Sequence, residues 1–334
     1  MATIRIHLSR EQLLELLQGG DPVIELNGQI GQPTINPQGA DFSFLEFFNN
    51  QISRLKANGN LRTLETYRAA YKKFSSYLDC DDIGFAAITS DLIVAFQTFL
   101  RSQDLSLNTV SFYMRILRAV YHLGVEQGLA TDQRPFRHVY TGMAKTAKRA
   151  ISLSEIRLVK HLPLTSRRMQ FSRDMFLLSF YMRGMAFVDM AYLKADDIKD
   201  GILSYRRHKT GQLLRLRWEE DMQEIVNRYP SKSGKYLLPI IHSQNGKERN
   251  QYRNHQSKIN EDLKVIAKLA GIGQNLTMYC ARHSWATIAR EMKVPIEVIS
   301  RGMGHTNERT TEIYLKTIDI KKIDQANRQI MDSL

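Results

Sequence analysis

The chain has 334 residues, 43% of them hydrophobic, and carries 47 Lys and Arg against 34 Asp and Glu, a formal charge of +13. This apolar content excludes a disordered chain, two distant cysteines (Cys80 and Cys280) exclude a disulfide scaffold, and no stretch reads as a secretion signal or membrane span. The basic excess favours a polyanionic partner, and the length suits two domains of unequal size.

Residues 1–40 stand apart as an N-terminal extension. They hold Pro22, Pro33 and Pro37 with Gly19-Gly20, Gly28, Gly31 and Gly39, and read as one short helix, one short strand and extended lead-in. Either packing cover or an accessory DNA-contacting arm fits them, and their unremarkable charge favours cover. Residues 41–140 are helical by periodicity. Phe44, Phe47, Phe48, Ile52 and Leu55 form one face, and Leu64, Tyr67, Tyr71, Phe74 and Leu78 a second. Leu92, Phe96 and Phe99 form a third, and Val110, Tyr113, Leu117, Val120 and Gly124 a fourth. Four such helices make a small bundle. Arg115 and Arg118 belong to a set of basic residues on it that serves equally as solvated face or DNA-facing surface.

Residues 141–152 read as a basic linker, with Lys145, Lys148 and Arg149 placed to follow a phosphate backbone. A second domain, 153–318, opens with Ser152 or Ser154 capping a helix toward His161. The nearly apolar stretch from Asp174 to Leu193 reads as one core helix. Gly201 to Arg207 and Leu214 to Trp218 then alternate around Lys209-Thr210-Gly211, predicting a hairpin with Lys209 at its tip. Helices are expected over Glu219 to Tyr229 and Tyr252 to Ala270. His208, His242 and His255 are isolated in sequence, so no metal site and no cofactor are expected. Asp196, Asp197 and Asp200 read as a solvated turn, which disfavours carboxylate-dependent transposase chemistry.

The segment from Thr277 to Tyr314 carries the chemistry. Met278, Ala281, Trp285, Ile288 or Ala289, and Met292 recur at helical spacing, with Thr277 as the cap and Cys280 beside the apolar face. Pro295 opens a short helix that Gly302 ends, and Thr306 or Asn307 caps a third that leads to Tyr314. Guanidinium, imidazole and phenol on short elements suit phosphate binding, proton transfer and nucleophilic attack. Taken singly, each residue reads more readily as ordinary packing. From Asp319 to Leu334, Ile320, Ile323, Ile330 and Leu334 share one side of a terminal helix, which must be buried on its own domain or on a neighbour.

Arg282-His283-Ser284-Trp285-Ala286-Thr287, then Gly304-His305, Thr310-Thr311 and Tyr314, resemble in order and spacing the C-terminal signature of the tyrosine recombinases, the phage-integrase family. The resemblance implies a mainly α fold with a small antiparallel β-sheet: a helical core-binding (SAM-like) domain followed by an α+β catalytic domain. It implies site-specific recombination (integration, excision or inversion) through a covalent 3′-phosphotyrosine and a Holliday junction. Tyr314 would be the nucleophile, Arg282 the second active-site arginine, His305 the late histidine, and Lys209 the catalytic lysine. The implied partners are double-stranded DNA with inverted-repeat core sites, a homo-tetramer in synapsis formed from free monomers, accessory DNA-bending proteins, and a neighbour that receives the 319–334 helix. A cytoplasmic, nucleoid-associated setting without membrane attachment follows.

Two positions depart from the pattern. Arg183-Gly184-Met185-Ala186-Phe187-Val188-Asp189 aligns with the first box through Gly184 and Asp189, leaving Ala186 where the first catalytic arginine normally stands. Arg183, one turn earlier on the expected helix, is the candidate replacement, with Arg206 or Arg207 beside the hairpin tip next in line. Tyr279 replaces the usual histidine of the second box and can donate a hydrogen bond to a phosphoryl oxygen. The wording around Arg183 also resembles a Bacteroides-like subgroup of these enzymes. The departures keep a decayed DNA-binding regulator of the same fold as the alternative, ahead of a type IB topoisomerase.

Overall fold

The computed structural model describes residues 42–78, 82–144, 149–231 and 234–305. The 1–40 extension, Lys145, Lys148, Tyr314 and the 319–334 helix lie outside the described residues. The chain divides into two compact units between Lys145 and Thr146. Among the described residues, no helix is long and apolar enough to cross a membrane.

Among the described residues, the first unit holds four α-helices: α1 (Phe44–Ala57), α2 (Leu61–Leu78), α3 (Ser90–Ser102) and α4 (Leu107–Glu126). Short polar side chains start three of them, α1, α3 and α4. The Ser43 hydroxyl accepts the Glu46 N–H at 2.9 Å, and Ser106 accepts that of Thr109 at 3.3 Å, satisfying amides that the helix cannot. The core is aromatic, with Phe44 edge-on to Phe48, Phe74 and Phe85. The α3 face differs from expectation. Ile93, Phe96 and Leu100 are buried, whereas Leu92 and Phe99 pack only at the edge. Leu92 and Ile93 are both apolar, so periodicity alone left the seam one residue out of phase.

Gly124 shows how tightly α4 is seated, because a Cβ there would lie 2.2 Å from the Phe85 ring. Alanine is intrinsically better than glycine in a helix by up to about 1 kcal/mol. Such an overlap costs roughly 1–3 kcal/mol, so the clash decides the sign. Gly124→Ala should therefore lower the urea midpoint of unfolding, and less so in a Phe85→Leu background. A midpoint unchanged or raised by Gly124→Ala alone would contradict this packing.

The second unit begins with α5 (Leu153–His161), where Ser152 and Glu155 close a reciprocal capping box. Next come α6 (Arg167–Tyr181), α7 (Phe187–Ala191), strands β1 (Ile198–Lys199), β2 (Ile202–Arg206) and β3 (Leu213–Arg217), and helices α8 (Glu220–Arg228), α9 (Glu248–Leu269), α10 (Met278–Glu291) and α11 (Ile296–Gly302). The strands form an antiparallel sheet in sequence order, with Arg206 opposite Leu213 and Ile202 opposite Arg217. The fold is mainly α with a small antiparallel sheet. Helix α6 is central and packs against both α9 and α10.

The single helix expected from Asp174 to Leu193 is two helices separated by a turn. Arg183 and Gly184 take left-handed φ values of 58° and 72°, and the Gly184 N–H returns to the Ser179 carbonyl at 2.8 Å. The run is apolar on both sides of the break, so composition conceals it. Only Gly184 marks it, as glycine tolerates this conformation at the end of a helix. The helical argument for Arg183 therefore fails: Arg183 lies in the turn and Ala186 is the N-cap of α7. Helix α9 also begins earlier than expected, at Glu248, because its first turn is too polar to show apolar periodicity.

Candidate active site

The site is assembled around a buried cation. Arg282 is 6% exposed, in the first half of an α10 helix that is buried on most sides. One guanidinium nitrogen donates to the Gly184 carbonyl at 2.9 Å. A second donates to the Met303 carbonyl at 2.7 Å and to His305 Nε2 at 2.8 Å. The first contact requires glycine, since a Cβ at residue 184 would lie 2.5 Å from the Arg282 Cα. Helix α10 thus comes against the turn after α6, and the carbonyl dipoles help compensate a charge taken out of water.

His305 follows the end of α11, where Gly304 takes φ 67° and the His305 N–H returns to the Ser300 carbonyl at 2.9 Å. Because Arg282 donates to Nε2, that nitrogen carries a lone pair and the ring is neutral with its proton on Nδ1. Burial first, and then the Arg282, Arg207 and Lys209 charges, push the His305 pKa down to about 4.

The β2–β3 hairpin closes the same space. Arg207 N–H donates to the Gln212 carbonyl at 2.9 Å and Gly211 N–H returns to Arg207 at 2.8 Å, leaving Lys209 exposed in the turn. The Arg207 guanidinium donates to the Gly304 carbonyl. A Cβ on Gly304 would lie 2.7 Å from Leu214 and 3.0 Å from the Arg207 side chain, so here too glycine permits the approach. Asp189 Oδ1, on α7, accepts the His208 backbone N–H at 2.8 Å. Buried Tyr205 marks the convergence. Burial, then Asp189, raise its pKa to about 12, opposed by Arg282, Arg207 and Arg183. Tyr205 is thus a neutral, inaccessible phenol.

Residues 43–139 match the phage integrase SAM-like domain, and residues 157–319 match the phage integrase family proper. The chain belongs to the phage integrase family. Tyrosine recombinase XerD of Listeria innocua is 21% identical over 276 residues, covering 78% of this chain and 90% of that relative. A tyrosine recombinase of Pseudothermotoga lettingae is 22% identical over 278 residues, covering 81% and 92%. In fold, the chain is similar to lambda integrase (residues 75–356), solved as a dimer on a COC′ core site, with TM-score 0.65 and 15% identity over 84% of this chain and all of that one. The Tn1549 transposon integrase bound to transposon right-end DNA gives TM-score 0.63 at 12% identity, covering 88% of this chain and 99% of that one.

In this integrase-family chain, three of the residues singled out from the sequence gather together. Arg282 and His305 are in contact, and Lys209 is near enough for its charge to register at the imidazole. Arg183 reaches the neighbourhood from the turn. It donates to the Arg215 carbonyl at 3.4 Å, and its Cδ would lie 3.7 Å from a Cβ on Gly302. Tyr279 stands 48% exposed one turn before Arg282, its ring edge-on to His283 with centroids 4.6 Å apart. Arg149 is exposed at the start of the unit. In the first unit, Arg115 is exposed on α4, while Arg118 is half-buried and donates to Thr141 Oγ1 at 3.3 Å.

Asp189 and His208 were not legible as partners. Asp189 only registered the first box, and His208, read as isolated, meets it 19 residues away through the hairpin. Arg207 stood only behind Arg183, yet it contacts the residue before His305. Among the described residues no cluster of three or more His, Cys, Asp or Glu could hold a metal ion.

The lowered His305 pKa has a direct consequence. In the unfolded chain the ring titrates near about 6.5. In the folded chain it stays neutral until about 4. The unfolded state therefore binds more protons within this window, and acidification through it destabilises the fold. Ring-nitrogen NMR of the DNA-free protein should show His305 neutral with its proton on Nδ1 from about pH 7.5 down to about pH 5. An ordinary midpoint near about 6.5 would contradict the Arg282–His305 contact.

Proposed function

We propose that the chain is a site-specific DNA recombinase that cuts and rejoins strands through a 3′-phosphotyrosine on Tyr314. The observation that carries this reading is the buried Arg282 guanidinium held at 2.8 Å on a neutral His305, with Arg207 and Lys209 alongside. A neutral imidazole beside fixed cations suits a phosphodiester whose charge grows on its non-bridging oxygens as the tyrosine attacks. Arg282 receives those oxygens. His305, its Nε2 lone pair engaged by Arg282, donates Nδ1–H to one of them rather than taking up the phenol proton. Lys209 protonates the departing 5′ oxygen, and the phosphotyrosine conserves the bond for rejoining, so no ATP is required.

The slot left by Ala186 is filled from another element. Arg207 is the stronger candidate on geometry, since it binds the carbonyl before His305 and its charge acts on that ring. Arg183 is the second candidate, held on β3. We read Tyr279, exposed a turn before Arg282, as donating to the same phosphate. Lys145, Lys148 and Arg149, with Arg115 and Arg118 in the first unit, would bind flanking backbone as positioning contacts. Lambda integrase has also been solved as a tetramer on a Holliday junction. That supports assembly of this chain on two duplexes, with the 319–334 helix docking on a neighbour.

The test is covalent trapping on a nicked duplex bearing the site that the full chain footprints beside its own gene. The parent should form a protein–DNA adduct and Tyr314→Phe none, with site binding intact. Arg207→Ala should cleave about a hundredfold or more slowly in single turnover and Arg183→Ala much less so. The reverse order returns the role to Arg183. Site binding without any adduct by the parent would support the regulator that Ala186 and Tyr279 suggest, and supercoil relaxation without strand exchange would indicate a topoisomerase.

A further inference from the structure

The tip of the hairpin is fastened by a second histidine. Asp189 is 5% exposed, and a carboxylate so buried requires hydrogen-bond donors. His208 gives its Oδ1 two of them: its backbone N–H at 2.8 Å and its ring Nδ1 at 3.2 Å. An ionised carboxylate only accepts, so Nδ1 carries hydrogen. Any residue but proline at position 208 would make the backbone contact, but the ring contact requires a side chain with a donor at that reach. The imidazole also lies on Tyr192, with centroids 4.5 Å apart and planes inclined by 36°. Tyr192 follows Asp189 by three residues, so one short stretch of chain holds the ring at its edge and on its face.

The neighbouring residue is Lys209, whose side chain makes no hydrogen bond or ion pair among the described residues. An ammonium on a flexible four-carbon stem takes its aim from the backbone that carries it. Two anchors set that backbone: Arg207 on the Gly304 carbonyl and His208 on Asp189. We propose that His208 is a positioning residue for proton transfer, its imidazole latching the hairpin tip to Asp189 so that Lys209 meets the leaving oxygen. This rests on the reading of Lys209 as the general acid. In the step concerned, the bond from Tyr314 Oη to phosphorus forms as the P–O5′ bond breaks. The O5′ electron pair takes a proton from the Lys209 ammonium, and the phenol proton leaves to solvent.

The His208 side chain is 42% exposed, so replacing it leaves the core filled. The experiment compares the full-length parent, His208→Leu, His208→Asn and Lys209→Ala in single-turnover cleavage of the footprinted duplex. Each is assayed with an ordinary phosphodiester and with a 5′-bridging sulfur whose thiolate leaves unprotonated. His208→Leu should be slowed about ten- to a hundredfold on the oxygen substrate, as expected for a misaimed group, and scarcely on the sulfur one. His208→Asn, whose amide N–H occupies the place of Nδ1–H, should stay close to the parent on both. Equal slowing of His208→Leu on both substrates would overturn the proposal in favour of general support of the fold, and parent-like cleavage of the oxygen substrate would overturn it outright. If sulfur fails to rescue Lys209→Ala, the acid itself is misassigned. If sulfur rescues Lys209→Ala while His208→Leu is unaffected, only the latch falls.

Discussion

A guanidinium taken out of water is the constraint on which the catalytic unit depends. Leaving Arg282 without partners would cost several kcal/mol. The backbone supplies the Gly184 and Met303 carbonyls as acceptors. Neither arrangement survives an ordinary residue at the neighbouring glycine. Gly184 lets α10 approach the turn after α6, and Gly304 lets the hairpin approach the end of α11. The start of the unit is tied to the same helix, since the Ile151 N–H donates to Ser284 Oγ at 2.9 Å. Removing the charge would therefore loosen contacts among stretches roughly a hundred residues apart in sequence, whatever the chemistry.

The same contact sets the protonation of the site. A histidine at the surface would be part-charged near neutrality. His305, half-buried and accepting from Arg282, is neutral there. Among the described residues, the cations acting on it are Arg282, Arg207 and Lys209, while Arg183 reaches from its turn to the Arg215 carbonyl. A binding site with several fixed cations and a neutral imidazole favours a diester that gains charge over one that keeps it. Asp189 keeps its carboxylate turned to the hairpin backbone and imidazole, so the acid in this cluster serves geometry.

Much of this was legible in the chain, for identifiable reasons. The α1 face repeats strongly enough for most of its core to be read off, whereas α2 and α4 bury Ala70, Met114 and Tyr121 beside the expected positions; the hairpin announced itself through alternation around Lys209-Thr210-Gly211. Arg282 and His305 were found through wording, because the motif fixes order and spacing whereas apolar periodicity treats both as interruptions. The failures share a cause. Arg183 was misplaced because a left-handed turn between two apolar segments leaves their composition unchanged. The β1 strand, two residues long, has no period to detect. The Asp189–His208 pair and the Arg207–Gly304 contact arise only when the hairpin folds back, so no local spacing encodes them.

The central claim is that Arg282 and Arg207 act on one phosphate as a unit held by His305 and the two glycine turns. A double-mutant cycle in single-turnover adduct formation tests it most directly, using Arg282→Lys, Arg207→Lys and both together on the footprinted site. Each single change should slow cleavage about a hundredfold or more while leaving site binding nearly intact, and the double change should cost far less than the product of the two. Losses that multiply, or parent-like cleavage by Arg282→Lys, would contradict the account.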